Sequence, residues 1–79
     1  MEEAEKQAEK PATIDLQKLL NTRVIVHIRD GRKLNGTLTQ YDEYMNMLLE
    51  DVDETMGDKP TNKYKILVVK GGNVQAISV

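Results

Sequence analysis

Hydrophobic residues take a helical spacing at one place, near the start of the chain. Leu16, Leu19 and Leu20 are spaced as i, i+3 and i+4, which places them on one face of a short helix. Thr13 is a capping residue type ahead of this run, and Asn21 is a typical stop. Because a helix of about two turns is not stable alone in water, its leucine face must pack on an apolar surface.

After this segment the period changes to two, which is typical of β-strands. A first strand alternates from Val24 to Arg29, and Asp30-Gly31 is a strong hairpin turn signal. Leu34, Gly36 and Leu38 form the next alternating run, in which the glycine indicates a bend. Three further strands are predicted, at Met47 to near Thr55, Tyr64 to Val69 and Val74 to Ile77.

The remaining segments are polar or rich in turn residues. Tyr41 to Asn46 and Lys70 to Asn73 break the strand pattern, and Met56 to Asn62 is predicted as a loop because it contains glycine, aspartate and proline. One short N-terminal helix followed by five antiparallel strands predicts an all-β fold, a strongly bent five-stranded barrel. Ile66 to Val69 is apolar on both faces, which indicates that a neighbouring copy covers the outer face.

Composition narrows the classes of function. The chain has 79 residues, no cysteine and a single histidine, His27, so disulfides, thiolate zinc sites and His-rich metal sites are excluded and no cofactor is expected. A domain this small gains from oligomerisation, and the lack of cysteine fits a reducing, cytoplasmic setting. We expect a flexible charged tail over residues 1–10 and one domain over residues 11–79.

Charge is distributed unevenly along the chain. The net charge is −2, and the predicted tail, with four acidic and two basic residues, accounts for all of it. A neutral body does not attract polyanions by bulk charge, so any nucleic acid must be held by a local, shaped site. Catalysis is not expected, because no nucleophile–base pair or phosphate loop is recognisable. The carboxylates Asp51, Asp53, Glu54 and Asp58 are interpreted as a solvated run near a loop.

The two polar breaks hold the candidate binding residues. They offer a carboxylate in Asp42, an aromatic ring in Tyr44, an amide in Asn46 and a cation in Lys70. In a bent barrel the two breaks can share one rim. An aromatic ring stacks on an unpaired base, and an amide both donates to and accepts from a pyrimidine edge. Met45, between the ring and the amide, also suits packing.

These residues lie in two stretches that resemble the paired motifs of the Sm/Sm-like (LSm) family, in its archaeal type. The first stretch is Leu34-x-Gly36-x-Leu38-x-x-Tyr41-Asp42-x-x-Met45-Asn46-Met47-x-Leu49. The second is Ile66-Leu67-Val68-Val69-Lys70-Gly71-Gly72-Asn73-Val74-x-x-Ile77. The resemblance covers residues 11–79, and the two motifs in this order, separated by a variable loop, are specific.

The resemblance implies a ring, typically heptameric, in which the fourth strand of one copy pairs with the fifth strand of the next. It implies that the ring holds uridine-rich single-stranded RNA at the rim of a central pore, with a role in RNA processing or ribonucleoprotein assembly. Tyr44 would stack on uracil, Asn46 would bond its edge and Asp42 would orient Asn46. Lys70 would close the pocket and Gly71 would allow close backbone approach, and Met45 belongs to the same RNA-binding set.

Two departures from the family pattern leave alternatives open. The family usually has arginine where this chain has Lys70, and often has aspartate where this chain has Gly72. Lysine lacks the planar guanidinium that stacks on a base. One alternative is therefore a ring-forming structural or protein-interaction barrel with little affinity for RNA, and another is a monomeric single-strand-binding barrel. Other Sm-like paralogues are further candidate partners in a mixed ring.

Overall fold

A computed structural model describes residues 15–79. Within these residues the elements are α1 Leu16–Leu19, β1 Arg23–Ile28, β2 Arg32–Tyr41, β3 Met47–Met56, β4 Lys59–Val69, the 3-10 turn Gly71–Asn73 and β5 Val74–Ser78. The five strands form one antiparallel sheet in the order β4-β3-β2-β1-β5. The predicted fold class, five antiparallel strands after a short helix, is confirmed.

The helix is shorter than the pattern predicted and begins at a different cap. Asp15 caps it, because its Oδ1 accepts a hydrogen bond from the Gln17 N–H at 3.1 Å. The predicted cap Thr13, the predicted tail over residues 1–10 and the start of the domain at residue 11 lie outside the described residues. Leu16 is buried, and Leu19 and Leu20 pack against the core as partly buried side chains, so the predicted leucine face is confirmed.

The sheet wraps around a single apolar core to which every strand contributes. The buried side chains come from the inward face of each strand, namely Val24, Val26 and Ile28 of β1, Leu34 and Leu38 of β2, Met47, Leu49 and Val52 of β3, Val69 of β4 and Val74 of β5. Within the described residues β4 and β5 pair on one side only, so they are the two edges of the sheet. The alternation of β1 and β2 predicted this core well.

The bend occurs where Gly36 of β2 meets a bulge in β3. Between the pairs Asn35–Asp53 and Thr37–Glu50, β2 has one residue and β3 has two. Asp51 in the bulge has a φ of 53°, and Nη1 of Arg23 donates to its carbonyl oxygen at 2.8 Å. A Cβ at position 36 would lie 2.9 Å from a Val52 methyl carbon, so the glycine predicted to mark a bend is required there.

The predicted loop from Met56 to Asn62 is wrong. β3 continues to Met56, a tight turn occupies Gly57-Asp58, and β4 begins at Lys59, five residues before the predicted start at Tyr64. Proline normally argues against a strand because it cannot donate to the ladder. Pro60 is tolerated because β4 is an edge strand and because the register of β3 and β4 shifts beside it, between Glu54 and Thr55.

Candidate nucleic-acid interface

The loop between β2 and β3 is folded around the carboxylate of Asp42. Oδ1 accepts hydrogen bonds from the backbone N–H groups of Tyr44 at 2.8 Å and Asn46 at 3.0 Å. The backbone closes the loop as well, since the Asp42 N–H donates to the Asn46 carbonyl oxygen at 3.1 Å. Met45 has a φ of 68° at the tip and its partly buried side chain packs against the core. This carboxylate therefore sets the path of the whole loop.

The same carboxylate fixes the side chain of Asn46, which joins the loop to the second turn. Asn46 Nδ2 donates to Asp42 Oδ2 at 2.9 Å. Asn46 Oδ1 accepts from the backbone N–H of Gly71 at 2.7 Å. Both ends of the amide are held, so its orientation is assigned by its partners, and one amide hydrogen and one oxygen lone pair remain for a ligand. The predicted proximity of the two polar turns is confirmed.

Gly71 is in direct contact with the loop from β2 to β3. A Cβ added at this position would overlap the carbonyl oxygen of Tyr44 and would lie 3.0 Å from the carbonyl carbon of Met45. Around Gly72, in contrast, an added Cβ would meet nothing within 4 Å. The close backbone approach expected at Gly71 is therefore present, and it depends on the missing side chain.

Hydrogen bonding favours the ionised form of Asp42. The pKa of Asp42 lies below its ordinary value because the Asn46 side chain donates to the carboxylate, and because the Tyr44 and Asn46 backbone groups and the charge of Lys70 favour the ionised form. Lys70 precedes Gly71 and is exposed. We call Asp42, Tyr44, Asn46, Lys70 and Gly71 the cradle.

The cradle presents an aromatic surface to solvent. The side chain of Tyr44 is 72% exposed, although its backbone is held by Asp42. Asp42 and Asn46 also border a shallow cleft that is lined by Gln40, Leu48 and Val68. An exposed ring on a fixed backbone, in the same loop as an oriented amide, can receive a flat, polar-edged ligand with little loss of conformational entropy.

Sequence reasoning missed one contact at this site. Arg29, which follows β1, was predicted as the end of the first alternating strand, yet its Nε donates to the Gly72 carbonyl oxygen at 3.1 Å. Its backbone N–H donates to the carbonyl oxygen of Asn73 at 2.9 Å. The signal was available in principle, because antiparallel pairing of the first and last strands brings the end of β1 beside the turn that starts β5.

A second polar cluster lies at the far end of the β3–β4 hairpin, and it corrects the interpretation of Glu54 as a solvated carboxylate. Glu54 is 4% exposed. Its carboxylate accepts hydrogen bonds from four side chains, Thr61 Oγ1 at 2.7 Å, Tyr64 Oη at 3.1 Å, Asn62 Nδ2 at 3.2 Å and Arg32 Nη1 at 3.3 Å. These donors, first of all Thr61, lower the pKa of Glu54. The bulge before Val52 turns Glu54 inward, which alternation alone did not predict.

Within the described part of the chain, two classes of feature are absent. No helix in residues 15–79 is long and apolar enough to cross a membrane. The same residues contain no group of three or more histidine, cysteine or acidic side chains arranged to hold a metal ion.

Comparison with known proteins identifies the family. The LSM domain model matches residues 14–79. The snRNP Sm-like protein of Methanosarcina acetivorans is 34% identical over 71 residues, which cover 90% of this chain and 97% of that protein.

Two solved structures are similar in fold and sequence. The Sm protein of Pyrococcus abyssii, determined in complex with a uridine heptamer, is 30% identical with a TM-score of 0.79, over 89% of this chain and 97% of that one. The P. aerophilum SmAP1 heptamer is 36% identical with a TM-score of 0.74, over 80% and 84% of the two chains. From the domain match, the sequence relatives and the shared fold, we conclude that this chain belongs to the LSM family of Sm-like proteins.

Proposed function

We propose that this chain forms a homo-oligomeric, heptameric ring that holds uridine-rich single-stranded RNA at the rim of a central pore. The observation that carries the proposal is the Asn46 amide, fixed at both ends by Asp42 and Gly71, in the same loop that exposes the ring of Tyr44. The ring acts in RNA processing or ribonucleoprotein assembly, in the cytoplasm, as a binding module without enzymatic activity.

The chemistry of the cradle suits uracil. The free amide hydrogen and lone pair of Asn46 match a pyrimidine edge that both donates and accepts. Tyr44 supplies the stacking face, which is worth about 1–3 kcal/mol per base. Lys70 closes the cradle from the side of the second turn, and Met45 supports the loop tip from below. Because the body of the protein is neutral, selectivity comes from base contacts rather than from bulk charge.

The edges of the sheet support a ring. β4 and β5 lie at opposite edges, and β4 exposes Ile66 and Val68 to 62% and 61%. An exposed apolar edge strand promotes uncontrolled pairing unless another strand covers it. Pairing β4 of one copy with β5 of the next would bury these side chains and remove both edges at once, provided that the ring closes. The heptamer of P. aerophilum SmAP1 is a precedent for such closure.

Light scattering and RNA binding test the proposal together. We expect a heptamer mass at micromolar concentration, and tighter binding of fluorescent oligo-uridine than of oligo-adenosine or oligo-cytidine. Asn46→Ala and Tyr44→Ala should each weaken oligo-uridine binding by about tenfold or more without dissolving the ring. Asn35→Ala is the matched control, because it removes an exposed amide from the middle of β2.

Four outcomes would contradict parts of this proposal. A monomer at micromolar concentration would remove the ring. Unchanged binding by both cradle variants would remove the site. An intact ring without oligo-uridine affinity at low salt would favour the second candidate, a structural or protein-interaction ring, for which the ammonium of Lys70 in place of a guanidinium is the motivating feature. Co-purification with other Sm-like chains would indicate a mixed ring.

A further inference from the structure

Arg29 is fixed against the turn that completes the cradle. Its backbone N–H reaches the Asn73 carbonyl oxygen at 2.9 Å and its Nε reaches the Gly72 carbonyl oxygen at 3.1 Å. The turn therefore bonds to Asn46 through Gly71 on one side and to Arg29 through Gly72 on the other. Since Gly71 and Gly72 are consecutive, the guanidinium and the amide are attached to neighbouring residues of one turn, whose Cα atoms are about 3.8 Å apart.

The three arginines of the chain differ in what occupies their terminal nitrogens. Arg23 uses Nη1 and Nη2 on the carbonyl oxygens of Asp51 and Asn35. Arg32 uses Nη1 on Glu54 and its Nε on Asp30. Arg29 uses Nε alone, and within residues 15–79 its two terminal nitrogens have no hydrogen-bond or ion-pair partner. Its side chain is exposed, so four N–H donors and a full charge face solvent.

A guanidinium in this position suits a phosphate. The cradle supplies contacts to a base, but a nucleotide held by its base also brings an anionic linkage to the protein surface. The planar fork of arginine matches phosphate oxygens in pairs, whereas an ammonium acts as a point charge. The ammonium of Lys70 lies near the Asp42 carboxylate, whose ionised form it stabilises. Arg29 adds a second cation at this turn, and its terminal nitrogens are placed to bind an anion.

We propose that Arg29 binds a backbone phosphate of the RNA whose base lies in the cradle, while its Nε keeps the Gly71–Asn73 turn in place. This inference rests on the proposed function and deepens it, because it assigns the backbone contact of a site so far described by its base contacts. Each subunit of the ring would then contribute one base pocket and one phosphate clamp.

The salt dependence of binding distinguishes a phosphate contact from a purely structural role. Dissociation constants for a uridine heptamer would be measured from about 50 to 300 mM KCl on wild-type protein and on Arg29→Gln, Arg29→Lys and Lys59→Gln. For single strands, each phosphate that the protein no longer neutralises makes the slope of log K against log salt shallower by about 0.7. Lys59 lies at the opposite end of β4 from the cradle and controls for the removal of one positive charge.

We expect Arg29→Gln to bind more weakly with a clearly shallower slope, and Arg29→Lys and Lys59→Gln to keep the wild-type slope. An unchanged slope in Arg29→Gln, with wild type binding normally, would overturn the phosphate contact and leave the proposed function standing. If Arg29→Gln does not form a ring, the salt dependence of Arg29→Lys is the test. This variant keeps the positive charge, so a shallower slope than that of wild type would overturn the assignment of a phosphate contact to Arg29. No binding by wild type would remove both proposals.

Discussion

Two carboxylates organise opposite ends of this small sheet, and they do so in different surroundings. Asp42 lies in an exposed loop and takes its hydrogen bonds from that loop, which leaves Tyr44 and part of Asn46 open to solvent. Glu54 is buried and takes its donors from β2 and β4. Both groups have a lowered pKa. The difference indicates that Glu54 stabilises the hairpin, whereas Asp42 preorganises a binding surface.

The largest effect on stability is expected from Glu54→Ala. This change leaves the donors Arg32, Thr61, Asn62 and Tyr64 without their shared acceptor, so the free energy of unfolding should fall by about 2–3 kcal/mol. Asp53→Ala is the matched control, because Asp53 is exposed and its ion pair with Lys63 at 3.2 Å is worth at most about 1 kcal/mol. Denaturant unfolding measures both. Equal losses in the two variants would contradict the structural role of Glu54.

Gly71→Ala should damage the other end of the molecule. The added methyl group would overlap the Tyr44 carbonyl oxygen, so the two turns must separate. We expect a loss of about 1–3 kcal/mol in unfolding free energy and a larger relative loss of oligo-uridine binding. Gly72→Ala has open space around it and should stay within about 0.5 kcal/mol of wild type. If Gly71→Ala bound oligo-uridine as tightly as the wild-type protein, the contact between the two turns would be dispensable for RNA binding.

Acid should affect both regions in the same direction. A carboxylate whose folded pKa is lowered contributes stability above its unfolded pKa, about 4 for Asp and Glu, and that contribution is lost as the pH falls through the folded value. We therefore expect the contribution of these two carboxylates to the free energy of unfolding to stay constant from about pH 8 to 5 and to decline below about pH 4. Unfolding curves of Glu54→Gln should decline less steeply than those of wild type. Parallel curves would mean that Glu54 does not contribute to acid sensitivity.

The smallest expected effect is a gain. Lys70→Arg replaces an ammonium with a planar guanidinium that can stack on a base while it keeps the charge beside Asp42. We expect oligo-uridine to bind about two- to fivefold more tightly, with the ring mass unchanged. Lys63→Arg, on the far half of β4, makes the same exchange away from the cradle and should leave affinity unchanged. Weaker binding by Lys70→Arg would indicate that the cradle is fitted to lysine.

Much of this architecture could be predicted from residue patterns, and the errors have physical reasons. The alternation from Val24 to Arg29 predicted β1, whose core face is Val24, Val26 and Ile28, and Gly36 predicted the bend. Pro60 led to a false loop, because a sequence does not reveal that β4 is an edge strand where a missing N–H is tolerated.

The candidate site was predictable only in part. The motifs brought Asp42, Asn46 and Gly71 together correctly, since each sits at a turn between strands. The contact of Arg29 with Gly72 and the burial of Glu54 depend on strand register and on the bulge beside Asp51, which periodicity does not encode. The RNA-binding roles of the cradle residues stay predictions.

A crystal structure of this protein with a uridine heptamer tests the central claim most directly. We predict a closed ring in which each uracil lies on the ring of Tyr44, bonds to the Asn46 amide and faces Lys70 across the pocket. Uridines bound away from the turns at Asp42 and Gly71, or cradles left empty at saturating RNA, would contradict it.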